Sequence, residues 1–415
     1  MNLLLVAYFY PPCRDTGAHR PAAMAKWLRR LGHRVTVLTT SAYGELGTDR
    51  DEGVVRTKDL QRVRARLHGH DRVDALFDSD TYSGRPHLLS KLIVPEPLVI
   101  AWAPYAYREA QRLNARERFD CVITSSPPES VHFVGRALRR RDVPWVADLR
   151  DGWTFEPIRP GFPTRLQRRY DERLERRWLA DADAVVAVSR PAANDLRSRL
   201  GLDPELVPNG WDPDLDTEPS PTDVGKRLLD PDRISLVYTG RFGSYGRDPA
   251  GLVEALRTLA RDHPEAAAKL ELVVAGPLTE DEVALLGTDV SPARIVIAGT
   301  LDRTGALALQ RAADGLLLVA SSRRTQLLNF KVFEYLAAGH PILALAAGTE
   351  AGRIIAEAGG ETVPADDPAR IVAALLRLVA GEVPAPDPAA RERYSYPAIA
   401  ERMAAVAQGA ISRAL

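Results

Sequence analysis

Residues 234–249, Ile-Ser-Leu-Val-Tyr-Thr-Gly-Arg-Phe-Gly-Ser-Tyr-Gly-Arg-Asp-Pro, decide the class of fold. An apolar run of strand length passes into a glycine-rich loop, and the loop passes into a helical segment. Asp248 is the predicted N-cap of this helix, with Pro249 at its first position. Strand, loop and helix in this order form the repeating unit of parallel α/β sheets.

The same alternation extends through both halves of the 415-residue chain. In the first half, strands are predicted at Leu3–Tyr10, Arg34–Thr40, Cys121–Ser125, Trp145–Leu149 and Ala184–Ser189. In the second half, strands are predicted at Ile234–Thr239, Leu270–Ala275, Ile295–Ala298, Leu316–Ala320, Ile342–Ala346 and Glu361–Pro364. The pattern predicts an α/β protein with two Rossmann-like parallel-sheet domains facing across a cleft.

A cluster of breakers at Pro208–Asp216 predicts the boundary between the two blocks. We therefore expect an N-terminal domain over residues 1–210 and a C-terminal domain over residues 211–390. The remaining residues 391–415 are expected to form a helix that packs back toward the N-terminal domain.

Composition excludes several classes of protein. The 55 basic and 55 acidic residues cancel, which argues against a dedicated nucleic-acid binder. Two cysteines are too few for a disulfide framework and predict free thiols. The N-terminal apolar run lacks the features of a signal peptide, and no apolar run reaches the roughly 18–20 residues of a membrane span. We expect a cytoplasmic protein.

Parallel sheets bind ligands at the carboxyl ends of their strands, so the strand-to-helix loops are the candidate sites. In the first such loop, Gly17 lies near the start of a helix, where a missing Cβ lets a ligand reach free backbone N–H groups. Alternatively, Gly17 serves only the turn. Another loop carries Arg241 and Arg247, whose planar guanidinium groups match phosphate oxygens. Surface arginines without a ligand are the alternative there.

A third loop leads into residues 329–341, Asn-Phe-Lys-Val-Phe-Glu-Tyr-Leu-Ala-Ala-Gly-His-Pro. With Asn329 as the predicted N-cap, Lys331 falls in the first helical turn, where the helix dipole disfavours a cation unless an anion binds. Lys331 and Glu334 share one face at positions i and i+3. They form either a surface ion pair or a set that binds phosphate and sugar hydroxyls.

The fourth loop places Asp148, Arg150 and Asp151 at the end of an apolar strand. Three charged side chains at the end of a buried strand are unfavourable in an apolar core unless they are paired. The charged groups either pair with one another within the turn or face an acceptor substrate.

Two basic segments each allow two interpretations. The long connection Ser41–Pro97 is either a solvated insertion or an anion- or acceptor-facing segment. The segment Arg165–Leu179 has Leu166, Tyr170, Leu174 and Trp178 at four-residue spacing among six arginines. It either packs one face on the sheet and solvates the other, or lies on an anionic membrane surface.

Together the loops resemble the retaining glycosyltransferases of family 4, which have the GT-B fold. The resemblance rests on Tyr10-Pro-Pro…Gly17, Leu31-Gly-His-Arg-Val-Thr-Val-Leu-Thr, Val207-Pro-Asn-Gly-Trp-Asp, Tyr238-Thr-Gly-Arg, Val274-Ala-Gly-Pro and Lys331-Val-Phe-Glu-Tyr-Leu-Ala-Ala-Gly-His-Pro-Ile-Leu. It implies that the second domain binds a nucleotide diphospho-sugar and the first an acceptor: a glycan, a lipid carrier or a small molecule. It also implies retention by front-face substitution.

The resemblance further implies roles for single residues. Arg241 and a second cation would contact the diphosphate, Glu334 would accept hydrogen bonds from the ribose hydroxyls, and Gly17 would approach the diphosphate or sugar. Gln326 takes a position where the family commonly has Glu, and it can hydrogen-bond a sugar hydroxyl without carrying charge. Arg247 is nearest to the place of the family's second cation.

We therefore expect Arg241, Lys331 and Asp151 to serve catalysis by charge and positioning. The residues expected to bind the donor are Gly17, Arg241, Arg247, Gln326, Lys331 and Glu334. Those expected on the acceptor side are Asp148, Arg150 and Asp151. No metal or other cofactor is expected. Of the D-x-D triplets, the one at Asp181 precedes a strand instead of following one, and with aspartate so common such triplets are expected by chance. A same-fold epimerase or phosphorylase, or a nucleotide-binding protein without turnover, is the alternative.

Overall fold

The first sheet is built from apolar runs separated by turns and helices, as the sequence predicts. Its eight strands occur in the order β3-β4-β2-β1-β5-β6-β7-β8, and among the described residues only the β3–β4 pairing is antiparallel. The strands are β1 Asn2–Ala7, β2 Arg34–Thr40, β3 Gly47–Asp49, β4 Val54–Thr57, β5 Cys121–Ser126, β6 Trp145–Leu149, β7 Ala184–Ala187 and β8 Glu205–Leu206. β1, β5 and β6 are buried throughout, the pattern of strands covered on both faces.

Helices cover this sheet. They are His19–Arg30, preceded by a 3-10 turn at Thr16–Ala18, then Leu98–Ala101, Ala103–Glu117, Val131–Arg139, Arg165–Leu179, Arg190–Asp195 with a π-helical continuation Leu196–Leu200, and Tyr396–Ala414. The last of these contributes Ile399 and Met403 to the same apolar cluster as Met24 and Leu28. The C-terminal helix is therefore part of the first core.

The second sheet has six parallel strands in the order β11-β10-β9-β12-β13-β14. The strands are β9 Ile234–Thr239, β10 Leu270–Ala275, β11 Arg294–Gly299, β12 Gly315–Val319, β13 Ile342–Leu345 and β14 Glu361–Val363. Its helices are Pro213–Asp216, Asp223–Leu228, Ala250–Asp262, Pro264–Ala267, Glu280–Leu286, Arg303–Ala312, Phe330–Ala338, Glu350–Glu357, Pro368–Val379 and Pro388–Glu392. The predicted α/β class with two parallel sheets is confirmed.

The chain divides into two compact units. The first unit is Met1–Pro208 with Tyr396–Leu415, and the second is Asn209–Ser395. The short helix Pro388–Glu392 lies in the second unit, where Arg391 donates a hydrogen bond to the carbonyl of Ala337 at 2.7 Å.

The structure is a computed structural model, and it describes residues 1–13, 15–49, 52–62, 92–155, 161–216, 223–243, 247–321, 328 and 330–414. Two predicted positions, Gln326 and Asn329, lie outside the described residues. No helix in the part of the chain that the structure describes has the length and apolarity needed to cross a membrane.

Some local predictions differ from the structure. The strands β3, β4 and β8 were not predicted, because each has four residues or fewer and gives too short a pattern. The helix after the glycine-rich loop begins at Ala250, so Pro249 takes the N-cap position and not the first helical one. The Asp248 carboxylate accepts the N–H of Ala250 at 2.8 Å, the local bond that favours aspartate just before a helix.

Candidate functional site

Glu334 is the centre of a charged cluster in the second unit. It lies on the helix Phe330–Ala338 and is only 6% exposed. The ammonium of Lys331 is 2.7 Å from Oε2, and a guanidinium nitrogen of Arg303 is 2.9 Å from Oε1. Burial acts to raise the pKa of Glu334, but the two cations and their hydrogen bonds outweigh it and lower that pKa overall. Glu334 is therefore held as a carboxylate.

A buried polar network joins this helix to the end of strand β9. Gln310 Nε2 donates to Thr239 Oγ1 at 2.8 Å and to Glu334 Oε2 at 3.4 Å. The N–H of Thr239 donates to the hydroxyl of Tyr335 at 3.1 Å, and burial raises the pKa of Tyr335 to about 12. Since Thr239 is the last residue of β9, Glu334 lies near the carboxyl end of that strand.

The loop after β9 passes next to Lys331 and carries another arginine. Gly240 has φ +137°, a conformation that requires glycine, and a Cβ built there would lie 3.9 Å from Cε of Lys331. Arg241 follows, and its side chain is exposed, with no hydrogen bond or ion pair to the described part of the chain. Its carbonyl accepts from the Tyr238 hydroxyl at 2.7 Å and from Arg247 at 3.1 Å. The loop backbone is thus fixed while the Arg241 guanidinium points to solvent.

The structure therefore brings together Lys331, Glu334 and the Gly240–Arg241 turn, all of which the sequence singled out. Arg247 lies in the same loop and bonds its backbone. The Lys331–Glu334 pair is not a solvated surface ion pair. The Glu334 side chain is 8% exposed, and the Lys331 side chain is 24% exposed.

Sequence reasoning missed Arg303 and Gln310. Both lie on the helix Arg303–Ala312, which follows β11 and is capped by Asp302, whose carboxylate accepts the N–H of Gly305 at 2.7 Å. A signal was available, since an aspartate and an arginine directly follow an apolar strand. Their contact with Glu334 was not predictable, because it joins two separate helices.

Asp148 in the first unit has a different environment. It is 2% exposed, and Arg20, which is 0% exposed, binds both of its oxygens at 2.7 and 3.0 Å. Ser125 donates to the same carboxylate at 2.8 Å. Arg20 also donates to the carbonyls of Pro208 at 2.7 Å and Val207 at 3.0 Å. The expectation that Asp148 faces an acceptor is not met, because both of its oxygens bond interior groups.

The other residues predicted in the first unit, Gly17, Arg150 and Asp151, lie in contact with one another through Arg150. Arg150 donates from Nη1 to the carbonyl of Gly17, and its Nε lies 3.4 Å from an oxygen of Asp151. Burial is the main cause of a raised pKa at Asp151, which Arg150 partly offsets. A Cβ at Gly17 would lie 2.7 Å from a guanidinium nitrogen of Arg150, so a larger residue there would displace the Arg150 side chain from this position. The β1 loop and the β6 loop thus form one cluster.

One detail of the prediction for Gly17 is wrong. Its backbone N–H donates to the carboxylate of Asp15 at 2.6 Å and is not free for a ligand. The local Asp-x-Gly turn satisfies this group before any ligand arrives.

The D-x-D triplet at Asp181 and Asp183 is engaged in ion pairs. Asp181 lies 2.6 Å from Arg136, and Asp183 lies 2.7 Å from Arg139. Among the described residues there is no group of three or more His, Cys, Asp and Glu side chains that could hold a metal ion.

Two α/β units with parallel sheets, each with charged side chains at strand ends, are the architecture of GT-B proteins, and comparison with known families gives the class. Two family models match: Glycosyltransferase Family 4 over residues 21–215 and Glycosyl transferases group 1 over residues 233–381. The chain belongs to this family of glycosyltransferases. No curated protein matches the chain in sequence.

Solved structures support the same fold. Sucrose-phosphate synthase from Thermosynechococcus elongatus has a TM-score of 0.64 and 17% identity, with 98% of each chain covered. A glycosyltransferase from Rickettsia africae has a TM-score of 0.61 and 15% identity, covering 99% of this chain and 98% of its own. HepE from Anabaena, in complex with UDP, has a TM-score of 0.57 and 16% identity, covering 98% and 99%. At such identities the likeness shows the fold alone.

Proposed function

We propose that the protein transfers a glycosyl group from a nucleoside diphospho-sugar to a glycan, lipid-carrier or small-molecule acceptor, with retention and without a metal ion. The observation that carries the proposal is the buried Glu334 carboxylate between Lys331 and Arg303, with Gly240, the residue before the exposed Arg241, lying next to Lys331. Structures of similar fold contain UDP, UDP-glucose and UDP-2-fluoro glucose, which supports this class of donor.

Glu334 is assigned to the ribose. A carboxylate offers about four acceptor positions, and Lys331, Arg303 and Gln310 occupy three of them. The lowered pKa keeps the group in the accepting form. A ribose hydroxyl is a donor that suits the remaining position.

The diphosphate is assigned to Arg241 and Lys331, with Arg247 as the third cation. The guanidinium of Arg241 is exposed, and the ammonium of Lys331 lies beside Gly240, where a missing side chain leaves room for phosphate. Cations placed in advance stabilise the charge that develops on the leaving diphosphate, so they would lower the barrier to sugar transfer. Gln326 is assigned to the sugar from its sequence position alone.

The acceptor is assigned to the cluster of Gly17, Arg150 and Asp151 in the first unit. The Asp151 side chain is 26% exposed, and its raised pKa suits a group that takes a proton from an attacking hydroxyl. In front-face substitution the acceptor attacks on the side that the diphosphate leaves, so this role is proton handling and not nucleophilic attack.

A thermal-shift panel tests the donor site. Uridine, guanosine, adenosine and thymidine diphosphates are compared with the corresponding nucleosides, and at least one diphosphate is expected to raise the Tm. A radiolabelled sugar nucleotide of the same base is then incubated with acceptor mixtures in the presence of EDTA, and the anomer of the product is read by NMR. The proposal fails if no diphosphate binds or if Glu334→Ala binds and reacts like wild type. A changed sugar without transfer would identify an epimerase, and a phosphate-dependent reaction a phosphorylase.

A further inference from the structure

The helix Arg165–Leu179 exposes two of its large apolar side chains, Leu166 and Tyr170, to solvent. It begins with a capping box in which Thr164 and Gln167 satisfy each other's backbone groups. Leu166 is 79% exposed and Tyr170 is 52% exposed, so the interpretation in which the apolar row packs on the sheet does not hold for these two residues. Only the end of that row, at Trp178, is buried.

Acidic residues take the buried face instead. Asp171, 4% exposed, accepts the indole N–H of Trp153 at 2.9 Å. Glu175, 1% exposed, binds both terminal nitrogens of Arg199, at 2.6 and 3.0 Å. These inward bonds fix the rotation of the helix about its axis, and they turn its other faces to solvent.

An arginine row lies beside Leu166 and Tyr170. It consists of Arg165, Arg169, Arg173 and Arg177, which follow each other at four-residue spacing and are all exposed. Their guanidinium groups make no ion pair or hydrogen bond within the described part of the chain. Like charges four residues apart on a helix repel each other and destabilise it. An anionic surface that contacts this row would reduce the repulsion among the four arginines.

We propose that this face, the arginine row with Leu166 and Tyr170, binds the surface of an anionic lipid bilayer, with the helix lying in the plane of the interface. The arginines attract lipid phosphates, and the two exposed apolar side chains enter the boundary between headgroups and acyl chains. Nucleic acid would use the arginines but offers no apolar layer to Leu166. The chain as a whole has no net charge, so the attraction is a property of this face.

Vesicle flotation of the full-length protein tests the proposal. The protein is expected to float with vesicles that contain phosphatidylglycerol and not with pure phosphatidylcholine vesicles. The bound fraction should fall as the salt concentration increases, because salt screens exposed charges. Arg169→Gln, Arg173→Gln and Arg177→Gln combined should weaken binding about 100-fold, because each arginine near an anionic surface contributes roughly fivefold. The matched control removes three exposed arginines of the second unit, Arg257, Arg261 and Arg370, as Gln, and should bind like wild type.

Two further variants separate lipid from other polyanions. Replacing the same three helix arginines by Lys should retain binding, because lipid phosphates respond to charge and not to a guanidinium fork. Leu166→Ser with Tyr170→Ser should weaken vesicle binding about tenfold or more while binding to heparin is unchanged. Equal binding by this apolar variant, or no flotation with anionic vesicles, overturns the proposal. Each variant's Tm is measured, and an unchanged Tm shows that lost binding is not lost folding. None of these outcomes depends on the proposed donor.

Discussion

The two charged clusters at strand ends differ in how much water reaches them. In the first unit, the side chains of Arg20 and Asp148 are 0% and 3% exposed. Both side chains form their hydrogen bonds with groups inside the protein. In the second unit, Lys331 and Arg303 are 24% and 42% exposed around a nearly buried Glu334. A closed pair holds the fold together, whereas a half-open one leaves cations able to meet a ligand. The same residue types thus take different roles through burial.

The largest effect is expected from Arg20→Met. It leaves the Asp148 carboxylate buried without a counterion, a change that costs about 3–5 kcal/mol. Urea unfolding followed by tryptophan fluorescence reports on this unit, which contains five of the six tryptophans. The double replacement Arg20→Met with Asp148→Leu should recover most of the loss, because no charge is then stranded. If the single variant is as stable as wild type, the closed pair is not structural.

Glu334→Ala is expected to leave folding nearly intact and to damage binding. Lys331 and Arg303 can turn to water, so the stability loss should be about 1 kcal/mol or less. Affinity for both nucleoside and nucleoside diphosphate should fall about 10- to 100-fold, since each lost hydrogen bond to a charged group is worth about 1.5–3 kcal/mol. Isothermal titration with both ligands measures this. A loss of stability as large as that of Arg20→Met would remove the contrast between the clusters.

Arg241→Ala should separate the phosphate end from the ribose end. Nucleoside diphosphate affinity is expected to fall about tenfold, while nucleoside affinity and stability stay within about 0.5 kcal/mol of wild type. Arg257→Ala, another exposed arginine of the same unit, is the control and should change neither. Equal losses for both ligands would refute the phosphate role of Arg241.

The smallest effects concern pH, and two carboxylates should respond with opposite sign: Glu334 in the second unit, and Asp151 beside Arg150 in the first unit. The pKa of Glu334 is lowered in the fold, so its stabilisation is present above the ordinary carboxyl pKa of 4.5 and is lost as pH falls through the lowered value. The pKa of Asp151 is raised, so its ionisation opposes folding once pH rises above the ordinary 3.8 and through the raised value.

Urea midpoints measured from pH 3 to 7 test this contrast. Relative to wild type, Glu334→Gln should lose stability as pH rises over this range, and Asp151→Asn should gain it. Matching slopes for the two variants would show that the environments of the two carboxylates do not differ as described.

The sequence by itself determined the repeated strand–loop–helix order and identified the strand-to-helix loops that carry the candidate site residues. β2, β6, β9 and β10 have the predicted bounds, because long apolar runs between breakers mark such strands clearly. It also determined that Lys331 and Glu334 share a helix face, since residues three apart are neighbours on any helix.

Only the tertiary structure decided which charges are buried and with which partner. Asp148 bonds Arg20, 128 residues away in sequence, and Glu334 bonds Arg303, 31 residues away on another helix. Helical spacing likewise left open whether the row of Leu166 and Tyr170 packs on the sheet, and the contacts of Asp171 and Glu175 turn that row outward. The physical reason is common to all three cases. A local pattern fixes which side chains lie together, but the energy of a charge depends on partners and solvent that only the folded chain supplies.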